Sequence, residues 1–240
     1  MIEVKNLVRY FGDIKAVNDV SFKVDKGEIL GFIGPNGAGK STTLRMITGY
    51  LSPSAGQVLI DGQVMSEHEM RCKSKIGYLP ETAPLYHDMT VQKFLEFTAE
   101  MRRINGKRRK EAVEKALEDC FLTTVRYQRI DTLSKGYRQR TCFAQSVLHD
   151  PPILILDEPT DGMDPNQKHE LRKVVERFGK DKAVMISTHI LEEVEALCSR
   201  VIVMRKGEVV ANESVEEFKA RDEKMAKSFR ELTLPEGVIQ

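Results

Sequence analysis

The sequence predicts an α/β fold with a mostly parallel sheet, and three observations support this prediction. Short β-branched runs bounded by turn residues alternate with helical segments before residue 80 and after residue 151. The run at 153–156 is apolar at every position, as expected of a parallel strand covered by helices on both faces. Between about residues 90 and 150 the apolar residues instead follow a helical period. We therefore expect a core of strands and helices that carries a helical insert.

Composition limits the class of protein before any motif is considered. The 240 residues are 41% hydrophobic and 30% charged, which excludes disorder and allows a packed core. With 37 Lys+Arg against 36 Asp+Glu the net charge is +1, so no bulk field attracts nucleic acid, and no nucleic-acid partner is expected. No apolar run approaches the roughly 18 to 20 residues of a membrane span. The four cysteines lack CxxC spacing, so we expect no zinc site and a reducing, cytoplasmic location.

Four strands and one helix are expected in the first eighty residues. The predicted strands cover 2–4, 17–24, 29–33 and 58–60. The predicted helix begins near Gly39-Lys40 and ends near Gly49, since a glycine with a following proline, here Pro53, is typical of a helix C-terminus. This helix therefore follows the third strand directly.

The insert and the last third of the chain give clear patterns too. Two helix faces are expected in the insert, one formed by Val91, Phe94, Leu95 and Thr98 and the other by Val113, Ala116, Leu117 and Cys120. Later strands are predicted at 153–156, 183–187 and 201–204, with helices at about 165–178 and 191–197.

One loop carries the sharpest chemical signal. It has the spacing GxxxxGK[ST], follows the strand at 29–33 and opens the predicted helix. Glycines let backbone N–H groups converge on phosphate oxygens, and the helix N-terminus adds partial positive charge. Lys40 would reach the terminal phosphates, and the Ser41 hydroxyl could ligate Mg²⁺. The predicted nucleotide-binding residues of this loop are Gly34, Pro35, Asn36, Gly37, Ala38, Gly39, Lys40 and Ser41.

Two adjacent carboxylates end the apolar strand at 153–156 and form the second signal. Open α/β sheets bind ligands at the carboxyl ends of their strands. Asp157 would hold magnesium directly or through water, whereas Glu158 points the other way and is placed to polarise an attacking water. A solvated turn explains such a pair when it occurs alone, but the phosphate loop favours the catalytic interpretation.

With these motifs the sequence resembles the ATP-binding-cassette (ABC) ATPases over about residues 1–213. The motifs, in the order of that family, are the phosphate loop at 34–41, LSKGYRQR at 133–140, ILILDEPT at 153–160, TDGMDP at 160–165 and Ser187-Thr188-His189. The resemblance implies a P-loop NTPase (RecA-like) core with a mostly parallel sheet, an N-terminal antiparallel β subdomain and an inserted α-helical subdomain. It implies a single nucleotide-binding domain over 1–240, with the core at 1–82 and 151–213, the helical subdomain at 83–150 and a short tail at 214–240.

The resemblance also implies a head-to-tail dimer of two copies that forms on ATP. Ser134 and Gly136 of one copy would close over the ATP on the phosphate loop of the other, because a hydroxyl, backbone N–H groups and a helix N-terminus attract anions. From the residues alone, Ser134 could equally be a helix N-cap. Thr42 and Asp164 are assigned to nucleotide binding by the same resemblance.

Three more site residues take their expected roles from the family. His189 would sense the γ-phosphate and orient the attacking water, and Phe11 would stack on adenine, with Tyr10 or simple strand packing as alternatives. Glu81 stands where the family usually has glutamine. Because a carboxylate only accepts hydrogen bonds, Glu81 could ligate the cation or compete with Glu158 as base, although it also repels the triphosphate.

The expected function is ATP binding and hydrolysis that drives a separately encoded membrane permease from the cytoplasmic face of the cell membrane. Glu81 and the lysine in LSKGYRQR resemble subunits of exporters more than those of importers. The family docks a coupling helix of the permease beside residues 82–98, where the candidate contacts, or else core residues, are Leu85, Tyr86, Met89 and Phe94. The alternative is a soluble ABC ATPase in a non-transport process such as iron–sulfur cluster assembly.

Overall fold

A four-stranded antiparallel sheet forms the N-terminal part of the protein. The computed structural model describes residues 1–82, 84–220, 229, 232 and 233. The strands of this sheet are β1 (Ile2–Phe11), β2 (Ile14–Val24), β4 (Ala55–Ile60) and β5 (Gln63–Val64), in the order β2-β1-β4-β5. The sheet confirms the expected antiparallel β subdomain.

A six-stranded sheet forms the centre of the described chain. Its strands are β3 (Ile29–Ile33), β6 (Ile76–Leu79), β7 (Ile153–Asp157), β8 (Ala183–Thr188), β9 (Arg200–Arg205) and β10 (Glu208–Ser214), in the order β10-β9-β3-β8-β7-β6. Only the pair of β9 and β10 is antiparallel among the pairs in this sheet. The strands that carry the predicted site, β3, β7 and β8, are therefore parallel neighbours whose carboxyl ends meet at one edge.

Eight α-helices are described. They are α1 (Lys40–Ile47), α2 (Glu69–Lys73), α3 (Val91–Met101), α4 (Gly106–Asp119), α5 (Lys135–Val147), α6 (Pro165–Gly179), α7 (Leu191–Leu197) and α8 (Val215–Ala220). Four begin at a capping side chain that accepts a hydrogen bond from a backbone N–H of the first turn, namely Thr90 for α3, Ser134 for α5, Asp164 for α6 and Ser214 for α8. The N-cap interpretation of Ser134 is thus confirmed. None of the described helices is long and apolar enough to cross a membrane.

The core has two main parts, one on each face of the central sheet. Because side chains alternate along a strand, Leu154 and Leu156 of β7 pack with the helical insert and α6. Ile153 and Ile155 point to the other face and pack with α1 and the antiparallel sheet. The fully apolar run is therefore buried on both sides, as its sequence predicts.

The structure extends several predicted elements and adds others. β1, β2 and β4 are longer than predicted. Their additional residues are mostly exposed or half-buried and lack an apolar pattern, so the sequence pattern does not identify them as strand. Four short elements, β5, α2, β6 and β10, are not predicted from the sequence. The expected tail begins with α8, where Val215 and Phe218 are buried against β9, so this part belongs to the core. Most of the tail lies outside the described residues.

One candidate permease contact is wrong. Phe94 is only 3% exposed and belongs to the core of the insert, as the core-packing alternative states. Leu85 and Met89 are half-buried against the same cluster, whereas Tyr86 is 53% exposed. Tyr86 therefore remains the candidate with a free surface.

Candidate active site

The phosphate loop leads from β3 into α1. Gly39 is the N-cap of α1 and has a φ of 100°, a left-handed conformation that side chains disfavour. A Cβ added there would lie 2.6 Å from the carbonyl oxygen of Ala16. The loop therefore needs glycine at this position both for its conformation and for the close approach of the β1–β2 hairpin.

Lys40 folds back over the loop. Its Nζ donates hydrogen bonds to the carbonyl oxygens of Gly34, at 2.7 Å, and Pro35, at 3.3 Å. Burial lowers the pKa of Lys40, while the negative charges of Glu158, Asp157 and Glu81 partly oppose this effect. The ammonium thus faces three carboxylates across the cleft and lies where an anion would be bound.

Asp157 ends β7 with its side chain almost fully buried, at 2% exposure. Burial raises its pKa, and the nearby charges of Glu81 and Glu158 add to this rise, whereas the hydroxyls of Ser187 and Ser41 oppose it. Among the described residues, Oδ1 of Asp157 is buried and has no hydrogen-bond partner. Such an orphaned carboxylate oxygen next to the Ser41 hydroxyl fits the donor set that Mg²⁺ prefers.

The part of the chain that the structure describes does not by itself enclose a metal ion. Among the described residues, no group of three or more His, Cys, Asp or Glu side chains is arranged to hold one. Mg²⁺ commonly takes one or two protein oxygens and completes its shell with water and substrate phosphates. Asp157 and Ser41 therefore fit a cation that arrives with a nucleotide.

Glu158 and His189 form a hydrogen-bonded pair at the ends of β7 and β8. His189 Nδ1 lies 3.0 Å from both carboxylate oxygens of Glu158. Glu158 has a φ of 49°, a strained value for a residue with a side chain, and its N–H donates to the carbonyl of Ser187 at 2.8 Å. The neighbouring strand thus fixes the backbone that holds the Glu158 carboxylate next to His189.

A single cleft brings together most of the predicted site residues. Its lining contains Phe11, Glu81, Glu158 and the loop residues from Asn36 to Thr42. Tyr10 is not in this lining and instead has the Lys15 ammonium 5.7 Å from its ring centroid. The structure therefore places Phe11, rather than Tyr10, beside the phosphate loop.

The signature residues and Asp164 lie outside this cleft. Ser134 and Gly136 begin α5, and Gly136 packs so closely on Gln167 of α6 that an added Cβ would lie 1.9 Å from Gln167 Oε1. Lys135 forms an ion pair with Asp161 at 2.7 Å. Asp164 accepts a hydrogen bond from the N–H of Gln167, at 2.9 Å. Within one copy of the chain, Ser134, Lys135 and Asp164 are exposed apart from the cleft, whereas Gly136 is buried beneath Gln167.

Sequence reasoning misses two residues of the site's surroundings. Glu193 of α7 is 1% exposed and connects Thr160, in the loop after β7, to Thr188, the last residue of β8. Gln139 of α5 lies with its Nε2 at 3.5 Å from the carbonyl of Glu158. For Glu193, the available sequence signal is its position next to Val194, on the face of α7 that helical spacing predicts to be buried.

The fold and the cleft together define a P-loop nucleoside triphosphatase. The model of the family described as ABC transporter matches residues 17–161. The chain belongs to this family, as the ATP-binding type of subunit, and the family binds and hydrolyses ATP. The non-transport alternative is not favoured.

Two relatives and one solved structure show the extent of the similarity. An uncharacterized ABC transporter ATP-binding protein of Methanocaldococcus jannaschii, MJ1023, is 38% identical over 90% of this chain and 79% of its own length. The probable multidrug ABC transporter ATP-binding protein YbhF of Escherichia coli is 36% identical over 92% of this chain, which spans only 38% of that protein. The dimeric structure of MJ0796, a bacterial ABC transporter cassette, superposes with a TM-score of 0.82 at 26% identity, over 90% of this chain and 99% of that one.

Proposed function

We propose that this chain hydrolyses ATP in the described cleft and thereby drives a membrane permease that exports its substrate. The observation that carries the proposal is the position of Glu158, which is hydrogen-bonded to His189 and lines the same cleft as the phosphate loop and Lys40. The multidrug name of the relative YbhF supports export. Binding to the permease would hold the protein at the cytoplasmic face of the membrane. We propose no nucleic-acid partner.

ATP would lie with its triphosphate on the loop from Gly34 to Thr42 and its adenine against Phe11. Lys40 would exchange its two carbonyl partners for phosphate oxygens, which form stronger, charge-assisted hydrogen bonds. Phe11 is 45% exposed, so covering its ring with a nucleobase removes apolar surface from water.

Ser41 and Asp157 would hold Mg²⁺, with Glu81 at the same cleft as a further carboxylate. The cation supplies charge neutralisation for the phosphate oxygens. A cation near Asp157 would also favour the ionised form of this buried carboxylate, which burial alone opposes.

Hydrolysis would use Glu158 as the general base. As the oxygen of water bonds to the γ-phosphorus, Glu158 accepts a proton from that water. The bond from the γ-phosphorus to the bridging oxygen breaks, and its electron pair stays on the ADP that leaves. His189 holds the Glu158 carboxylate through Nδ1 and would contact the γ-phosphate. Glu81 is exposed in the cleft and would act on the cation or the water.

A second copy would complete the site. Ser134 is exposed outside the cleft of its own chain, so it would contact ATP on another copy, and the adjacent Gly136 would join this contact once the Gln167 side chain moves. The Asp164 loop next to them would lie at the same interface. The dimeric assembly of the related cassette MJ0796 supports this arrangement. ATP would favour the dimer because it contacts both copies, and the loss of the γ-phosphate would remove part of these contacts.

Glu158→Gln tests the proposal because it keeps the shape of the side chain and removes the base. Turnover of ATP should fall by about 10² to 10⁴ while ATP binding remains, so the ATP-bound dimer should accumulate on a sizing column. The matched control is Glu192→Gln on the exposed face of α7, which should leave turnover unchanged. Full turnover by Glu158→Gln would contradict the assignment of the base, and a monomer at saturating ATP would contradict the dimer.

A further inference from the structure

The buried carboxylate of Glu193 connects the two loops that carry Glu158 and His189. Glu193 Oε1 accepts a hydrogen bond from the hydroxyl of Thr160, two residues after Glu158. Its Oε2 accepts one from the hydroxyl of Thr188, the residue before His189, at 3.1 Å. One carboxylate therefore connects the loop after β7 to the last residue of β8, beyond the last residue pair between these two strands, Asp157 and Ser187.

The Thr188 hydroxyl extends this connection to the other side of His189. Its Oγ1 accepts a hydrogen bond from the N–H of Ile190 at 3.1 Å while it donates to Glu193. The residues before and after His189 are thus held by one hydroxyl. His189 itself is 59% exposed and is otherwise held by its bond to Glu158, so its backbone depends on Thr188 for a fixed position.

The burial of Glu193 needs a physical reason, since a carboxylate out of water is costly unless it is paired and hydrogen-bonded. Its side chain is only 1% exposed. Lys168 of α6 lies 3.6 Å from Oε1 and supplies an opposite charge at the surface end of the cluster. Position in the first turn of α7 adds a favourable helix dipole. Each carboxylate oxygen of Glu193 thus accepts a hydrogen bond from a different threonine, Thr160 after β7 and Thr188 at the end of β8.

We propose that Glu193 is a positioning residue for hydrolysis, which sets the distance between Glu158 and His189 by holding Thr160 and Thr188 together. The inference rests on the proposed roles of Glu158 and His189 and adds a residue that does not touch ATP. Displacing a reacting group by about 1 Å can cost on the order of 100-fold in rate. Loss of the bridge should therefore lower kcat and leave the affinity for ATP, which depends on the phosphate loop, unchanged.

The sharpest test removes the two hydroxyls and keeps the shape of their side chains. Thr160→Val and Thr188→Val should each lower kcat for ATP by about tenfold or more, with an unchanged Kd for ATP. Thr160→Ser and Thr188→Ser keep the hydroxyl and should restore most of the rate. Glu193→Ala should lower kcat at least as much as either valine variant. The matched control, Glu192→Gln, changes an exposed glutamate on the same helix and should behave as the unmodified protein.

A second readout separates positioning from simple stability. The ¹H–¹⁵N signals of the His189 ring should shift in both valine variants, in folded protein without nucleotide, and should stay in place in Glu192→Gln. Unchanged kcat in both valine variants, while Glu158→Gln is inactive, would overturn this inference alone. Full activity of Glu158→Gln would overturn the proposed function together with it. A loss of ATP affinity in the valine variants as large as their loss of kcat would also overturn the positioning role.

Discussion

At the scale of single residues, burial acts in opposite directions on the two charges closest to the proposed phosphate and metal positions. It lowers the pKa of Lys40 and raises the pKa of Asp157, so each group is moved toward its neutral form. A triphosphate with its cation would place an opposite charge beside both. The cleft therefore holds two charges whose burial makes a charged ligand favourable.

His149 gives a pH-dependent prediction outside the cleft. Burial, with help from the Arg102 and Lys182 cations, lowers its pKa to about 4, against the bond to the carbonyl of Ile76 and the Asp150 charge. Since the unfolded chain takes up the proton near pH 6.5, stability is full above that pH and falls as the pH drops toward 4. The free energy of unfolding should fall by about 2 kcal/mol between pH 7.5 and pH 5 through this residue.

Chemical denaturation at the two pH values would measure this loss. His149→Gln should remove the His149 part of it, whereas His169→Gln, at an exposed position of α6, should leave it intact. An identical pH dependence in all three proteins would contradict the prediction.

Residues in the phosphate loop and after β7 could be predicted because the chemistry requires fixed residue types at fixed spacing. Glu193 and His149 could not be predicted, because their roles depend on contacts between distant parts of the chain. Glu193, for example, bridges Thr160 and Thr188, which meet only when β7 and β8 pair. The position of Phe11 in the cleft, against Tyr10, also depends on where the β1–β2 hairpin lies.

At the scale of elements, the buried halves of the strands could be predicted and their exposed ends could not. β7 and β8 match their predictions to within a residue, since an apolar run of that length suits a central parallel strand. β6 has only four residues and contains Gly77, so its pattern is too short to identify. Its place beside β7 follows from the sheet as a whole.

A side chain at Gly77 is expected to destabilise the packing of β6 against α5. A Cβ added there would lie 2.3 Å from the backbone oxygen of Ser146, which cannot move without a shift of the helix end. Gly77→Ala should therefore lower the free energy of unfolding by about 1 to 3 kcal/mol, as measured by the urea midpoint.

The control for this substitution is Gly62→Ala, in the turn between β4 and β5. An added Cβ has open space at Gly62, but the φ of 76° should still cost about 1 kcal/mol. If Gly77→Ala were no more destabilising than Gly62→Ala, the close packing of β6 on α5 would not limit this position.

At the scale of the whole molecule, an aromatic groove lies on the insert near the segment that leads from Glu81. Its walls include Tyr86, Phe97, Met101 and Arg102, and the rings of Tyr86 and Phe97 meet edge to face at 5.4 Å between centroids. Met101 is 69% exposed. The groove supports the proposed docking of a permease helix, because exposed apolar side chains in a cluster are typical of interfaces.

Tyr86→Ala should weaken co-purification of the proposed permease with this chain and leave ATP binding by the isolated chain unchanged. Truncating an exposed aromatic residue at the centre of an interface commonly costs about 2 kcal/mol of binding or more. Tyr127→Ala is the matched control, since Tyr127 is an exposed tyrosine of the insert outside the groove. Equal recovery of the permease with both variants would place the contact elsewhere.

The Lys40 ammonium donates hydrogen bonds to two carbonyl oxygens of its own loop. A cation of the protein itself therefore lies within the phosphate loop. A bound triphosphate would then replace these carbonyl oxygens as the hydrogen-bond partner of Lys40, and the loop would keep its conformation. Binding of ATP would therefore require Lys40 only to exchange its hydrogen-bond partners.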